Sequence, residues 1–185
     1  MKKILIALST LTFAALACSV FIGGPAYPDT SIPVSTEAVQ SLQDQIKQAV
    51  ADGAQTGTVT LQISESQLTS YLAFKFASQT NPLITDPQVQ LRNGEMKVFG
   101  KVQQGMFNAN ISVTMNVSVD DQGLPKIEIT QADFGPLPAP QGLNDAVSTM
   151  VQEAFTGSLG PVATGFRLDS IAIADGTMTV VGRTK

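Results

Sequence analysis

The chain has 185 residues, a length that suits one ordinary domain, and its 43% hydrophobic content supplies a core that a disordered chain lacks. The net charge is −4, and without Lys2 and Lys3 nine basic side chains face fifteen acidic ones, a balance of −6. With no basic run, no His and a single Cys, the sequence sets aside nucleic-acid binding, Cys/His metal centres and the commonest catalytic bases and nucleophiles.

Lys2 and Lys3 open a short positive region, and residues 4–17 are apolar apart from Ser9, Thr10 and Thr12. That run is shorter than the ~20 residues that cross a bilayer as a helix, so it reads as an export signal. It ends Ala14-Ala15-Leu16-Ala17-Cys18, which resembles the lipobox of bacterial lipoproteins, with Ala15 where that motif prefers Leu. The resemblance implies a diacylglyceryl thioether on Cys18 and cleavage before it. The plain alternative is a signal cut after Ala15-Leu16-Ala17 with Cys18 incidental. Residues 18–34 carry Gly23, Gly24, Pro25, Pro28 and Pro33, and read as a tether. Residues 35–185 are the domain.

Ser35 predicts the cap of a first helix running to about Asp52, with Gly53 to close it and Val39, Leu42, Ile46 and Ala49/Val50 as its apolar stripe. Residues 58–63 alternate as a strand. Ser64 and Gln67 then form a capping box for a second helix that carries Leu68, Tyr71, Leu72 and Phe76 and ends at Asn81-Pro82. Asn93-Gly94 predicts a hairpin between Val89/Leu91 and Met96/Val98/Gly100. From Phe107 to Val119 apolar and polar residues alternate as one long strand, Asp120-Asp121-Gln122-Gly123 turns it, and residues 126–130 return with Ile127 and Ile129 inward. The Asp120-Asp121 pair is read as part of that turn rather than as a calcium or catalytic site. Residues 134–140 form a proline-rich crossing loop, and residues 141–155 a third helix with a wide apolar face. Ile171, Ile173, Asp175-Gly176, Met178, Val180 and Gly182 make a second hairpin at a constant offset of 82 from the first. Two readings stand: a repeated unit, or the alternation any two hairpins share.

This order of elements predicts a single α+β domain: a curved antiparallel sheet wrapped around two to three helices. Its apolar inner surface is either a solid core or an elongated groove for acyl chains. Leu68, Leu72, Phe76, Val147, Val151 and Phe155 on helices, with Val98, Ile111, Val113, Met115 and Val180 on strands, are the groove candidates.

The stretch Leu61-Gln62-Ile63-Ser64-Glu65-Ser66-Gln67-Leu68-Thr69-Ser70-Tyr71-Leu72 resembles the opening of small bacterial envelope proteins of the YceB, LmeA and YpmS kinds. The hairpin from Val89 to Gly100 and the loop Gly135-Pro136-Leu137-Pro138-Ala139-Pro140 follow in the order those proteins show. The resemblance spans about Val59 to Gly182 and implies a TULIP-like fold that holds lipid in an apolar tunnel. The expectation is a non-catalytic, cofactor-free lipoprotein that binds phospholipid or a similar amphiphile. It would sit lipid-anchored on the cell or outer membrane, facing the periplasm or exterior, and possible roles include lipid transfer in the envelope. The alternative is a structural lipoprotein with a solid core that meets an envelope protein partner.

Overall fold

The computed structural model describes residues 20–79, 82, 84–136, 149 and 166–184. Cys18, residues 137–140 of the crossing loop and, apart from residue 149, the expected third helix, with Val147, Val151 and Phe155, lie outside the described residues. Among the described residues there are two helices, α1 (Thr36–Thr56) and α2 (Glu65–Ala77). The strands are β1 (Val20–Phe21), β2 (Thr58–Ser64), β3 (Thr85–Arg92), β4 (Glu95–Gln104), β5 (Phe107–Val119), β6 (Pro125–Asp133), β7 (Phe166–Ala174) and β8 (Thr177–Thr184).

Helix α1 begins where the sequence predicts: the Ser35 hydroxyl accepts from the Ala38 N–H at 3.0 Å. Glu37 lies in the first turn, and hydrogen bonds from its own backbone N–H and from Thr36 hold its carboxyl below the usual range. The helix ends later than expected. Gly57, not Gly53, takes the left-handed conformation and donates its N–H to the Gly53 carbonyl at 2.8 Å. Gly53 is instead a buried contact point, since a Cβ there would fall 2.2 Å from the Val59 Cγ2 and 3.0 Å from the Phe166 ring. The missing side chain lets α1 lie against β2. Helix α2 starts in the expected capping box: Gln67 N donates to the Ser64 hydroxyl, and Gln67 Oε1 accepts from Ser64 N at 2.9 Å.

Strand β5 is the axis of the larger sheet, antiparallel to β4 on one edge and to β6 on the other, with β3 outside β4. Inner-face side chains line up in rows across the strands: Leu91–Met96–Met115–Ile129, then Val89–Val98–Val113–Ala132. The smaller sheet runs β2–β8–β7 with rows Leu61–Val180–Ile171 and Ile63–Met178–Ile173. Two backbone bonds join the sheets at opposite ends, Gly176 N to the Leu91 carbonyl at 2.9 Å and Leu168 N to the Gly123 carbonyl at 3.1 Å. The result is a curled half-barrel whose inner face is continuous across both sheets, with residues from β2–β8 and from both helices in one apolar cluster.

The two hairpins repeat in register. Val89 pairs Val98 as Ile171 pairs Val180, and Leu91 pairs Met96 as Ile173 pairs Met178. The pairing also slips at the matching place in both, before Gln88 and before Ser170. Gly100 and Gly182 lie at these slips. A Cβ on Gly100 would strike Ile84, and one on Gly182 would come 3.0 Å from the Arg167 carbonyl. The shared glycines thus serve one geometric need twice, which favours the repeated unit over chance alternation.

Strand β3 is an edge, and its unpaired backbone is covered by side chains of α2. Thr69 Oγ1 accepts from Val89 N at 3.0 Å, and Glu65 Oε1 accepts from Leu91 N at 2.7 Å while also pairing with Arg92. Thr69 is fully buried. Thr69→Val keeps the shape but strands the Val89 N–H, so it should cost about 1–3 kcal/mol, read as a lower denaturant midpoint at unchanged slope.

Candidate lipid-binding face

The structure brings the described candidates together. Leu68, Leu72 and Phe76 project from α2 into the same apolar cluster as Val98, Ile111, Val113, Met115 and Val180 from β4, β5 and β8. Val98 and Val113 are direct cross-strand partners, Met115 faces Met96, and Val180 faces Leu61. Their exposures run from 0% at Met115 to 8% at Leu68, so these side chains close on their neighbours. Leu61, Ile63, Leu91, Met96 and Met178 complete the same surface and are equally buried. The alternation of their strands marked them as inward, but not as members of one continuous face, because that depends on how the two sheets join.

Depressions on the outside are of a different kind. One of about 840 Å³ is lined by Val119, Asp120, Asp121, Arg167, Leu168, Asp169 and Arg183, a mostly charged set. Arg183 pairs with Asp169 at 2.7 Å, and Arg167 donates to the Asp121 carbonyl at 2.9 Å. Asp120 Oδ1 accepts from Gln122 N at 2.9 Å and Leu124 N at 2.8 Å, which is the turn the sequence predicted.

The sequence reading missed a strap. Residues 20–34, read as a tether, are laid along the domain from Val20 onward. Strand β6 pairs only with residues 112–119 of β5, and β1 fills the rest of that edge in parallel. Val20 N donates to Met106 O at 2.7 Å, Ile22 N to Asn108 O at 2.9 Å, and Asn110 N to Gly23 O at 3.0 Å. The chain then turns at Gly23-Gly24 and crosses the outer face of the sheet. Asn110 Nδ2 donates to the Pro25 carbonyl at 3.2 Å. Tyr27 meets the Phe99 ring edge-on at 6.0 Å and donates its hydroxyl proton to the Asp86 carbonyl. The Gln88 amide brackets Ile32, accepting from its N–H at 2.6 Å and donating to its carbonyl at 3.2 Å. Gln88, Phe99 and Ser112 are therefore buried on the face that alternation assigns to solvent. Phe99 among polar neighbours was the available sequence signal.

Burial, followed by the Asp86 charge and hydrogen bond, pushes the Tyr27 phenol above its ordinary value. A raised folded-state pKa adds stability below the unfolded value of about 10, and that stability is lost as pH rises above it. The strap should therefore loosen in alkali in the parent and not in Tyr27→Phe. Proteolytic cutting within residues 20–34 as a function of pH checks this.

Fold and inner face define an α+β module with a curled antiparallel sheet closed over an aliphatic surface. Over residues 20–183 the sequence matches the LmeA-like phospholipid-binding family, and the chain belongs to it. The LmeA kind is among the three that its motifs resemble. No curated protein matches the chain. Among solved structures it is similar to a lipopolysaccharide binding protein, with a TM-score of 0.31 and 13% identity over 84% of this chain and 49% of that one. The chain thus spans about half the length of that protein.

Proposed function

We propose that the protein binds a phospholipid or similar amphiphile along the inner face of its curled sheet, anchored to a membrane through lipid on Cys18. Membership of a phospholipid-binding family over residues 20–183 carries this reading. An unbroken aliphatic face from β3 to β7, lined at its centre by Val98, Val113, Met115 and Val180, is consistent with it. Each CH₂ of an acyl chain sheltered there would gain about 0.8 kcal/mol. The mechanism is shielding, and transfer between envelope layers would follow from release at a second membrane.

Mass spectrometry of the full chain under native conditions tests the binding. One bound phospholipid is expected, and it should return after delipidated refolding in the presence of phosphatidylglycerol. A protein that carries and rebinds nothing refutes the proposal. The anchor is tested apart from binding: Cys18→Ser should move the protein out of the membrane fraction and remove the diacylglyceryl mass, whatever lipid the domain holds.

A second reading has an observation of its own. Every described candidate is at most 8% exposed, as in a solid core. On that reading the domain is a structural lipoprotein, and the refolding experiment gives the lipid-free result.

A further inference from the structure

Four large apolar side chains stand exposed together at one end of the sheet, and we propose that this end inserts into the surface of the membrane that carries the protein. Val20 and Phe21 of β1, and Met106 and Phe107 at the β4–β5 turn, are all about half exposed or more, with Phe21 at 61% and Met106 at 58%. The strands gather them at that end: Val20 pairs Phe107 on one face, Phe21 follows on the other face beside Asn108, and Val20 N donates to Met106 O. Soluble surfaces scatter such residues singly, whereas a cluster of them marks a contact. Among the described residues the other exposed large hydrophobics, Val34, Phe74 and Leu124, lie elsewhere in the chain.

Two observations choose a bilayer as the occupant. The first is where the chain goes. Val20 is two residues after Cys18 and three after the apolar run 4–17, so whatever tethers the chain does so within a few ångströms of the patch. The second is charge. In a chain of net −4, residues 19–28 and 102–119 hold no charged side chain, and Lys101, next along β4, is neutralised by Asp86 at 2.6 Å. The acidic pair Asp120-Asp121 sits at the far end of β5, about 40 Å along the strand at ~3.4 Å per residue. The apolar end is thus the one that an anionic headgroup layer does not repel. The patch also includes β1, so the strap couples membrane contact to the outer face of the sheet.

This inference rests on the anchored reading, and the two can fail separately. The chain has no Trp, so a single introduced indole reports its own surroundings. Phe21→Trp, Phe107→Trp and, as a control at the opposite end, Leu124→Trp are made in the full chain. Each is reconstituted on phosphatidylglycerol–phosphatidylethanolamine vesicles with brominated acyl chains, and its fold is checked by circular dichroism. Emission at positions 21 and 107 should shift to shorter wavelength and be quenched by bromine, while position 124 stays as in solution. If Phe107→Trp fails to fold, the more exposed position 21 decides alone. Protein that sediments with vesicles yet shows no quenching at 21 or 107 overturns the inference and leaves the anchor standing. Unlipidated protein that is quenched at 21 and 107 by added vesicles upholds the inference and shows that insertion does not need the anchor. Equal quenching at all three positions overturns it. So does a concentration-dependent shift without vesicles, which would assign the patch to a second copy of the chain.

Discussion

Met115→Asp should unfold the protein. The side chain is wholly buried at the centre of the inner face, between its partners Met96 and Ile129. An isolated carboxylate there loses its hydration and gains no partner, at an effective cost of several kcal/mol. A domain with about 5–15 kcal/mol of total stability loses most or all of it. Met115→Leu, close in volume, should cost less than about 1.5 kcal/mol. The measurement is thermal unfolding followed by circular dichroism, with lipid content by mass spectrometry on the same samples. A folded, lipid-free Met115→Asp protein would contradict the expectation and would show that water reaches this position. The face would then be the wall of a space that opens, with Met115 a true contact of the acyl chain. Unfolding fits both readings of this face, since a groove closed when empty buries Met115 as a core does; a folded, lipid-free variant selects the groove.

Local chemistry made much of this fold legible in the sequence. The Ser64–Gln67 capping box and the Asn93-Gly94 turn satisfy their own hydrogen bonds within a few residues, and the strict alternation from Phe107 to Val119 states a strand with one buried face without reference to its partners. Each appears as expected. Asn93 and Gly94 both take positive φ, as that turn requires. Gly53 misled for a physical reason. A glycine after an apolar stripe reads as a helix stop, but here its missing Cβ serves a contact with Val59 and Phe166, two elements the helix alone does not announce. The strap was illegible for the same reason. Its glycines and prolines indicate an irregular path, and nothing local tells a free path from one bound to residues 56 to 85 positions away. Of the candidate site, inwardness was readable from alternation. Continuity across the two sheets was not, since it depends on single backbone bonds at Gly123 and Gly176.

The strap gives the second large expectation, and adjacent glycines make it a controlled one. Gly23 and Gly24 both have positive φ, at 106° and 123°, which side chains rarely adopt. They differ in surroundings. A Cβ on Gly23 meets nothing within 4 Å, whereas one on Gly24 would lie 2.1 Å from the Asn110 carbonyl oxygen. That obstacle is backbone of the central strand, so it cannot rotate away. On the other side Gly135 packs so closely that its own Cβ would come 2.5 Å from the Gly24 Cα. Gly23→Ala should therefore cost only conformational strain, about 1–3 kcal/mol. Gly24→Ala carries the same strain plus an overpacking cost of about 1–3 kcal/mol. It should relieve the clash by lifting the strap, which exposes Phe99 and separates Tyr27 from Asp86. Two measurements check this: the difference in melting temperature between the variants, and the rate of proteolysis within residues 25–34. Gly24→Ala should melt lower and be cut faster. Equal behaviour would mean that the strap is not clamped between Asn110 and Gly135. The outer face of the sheet would then keep its aromatic residue covered by some other means than the strap.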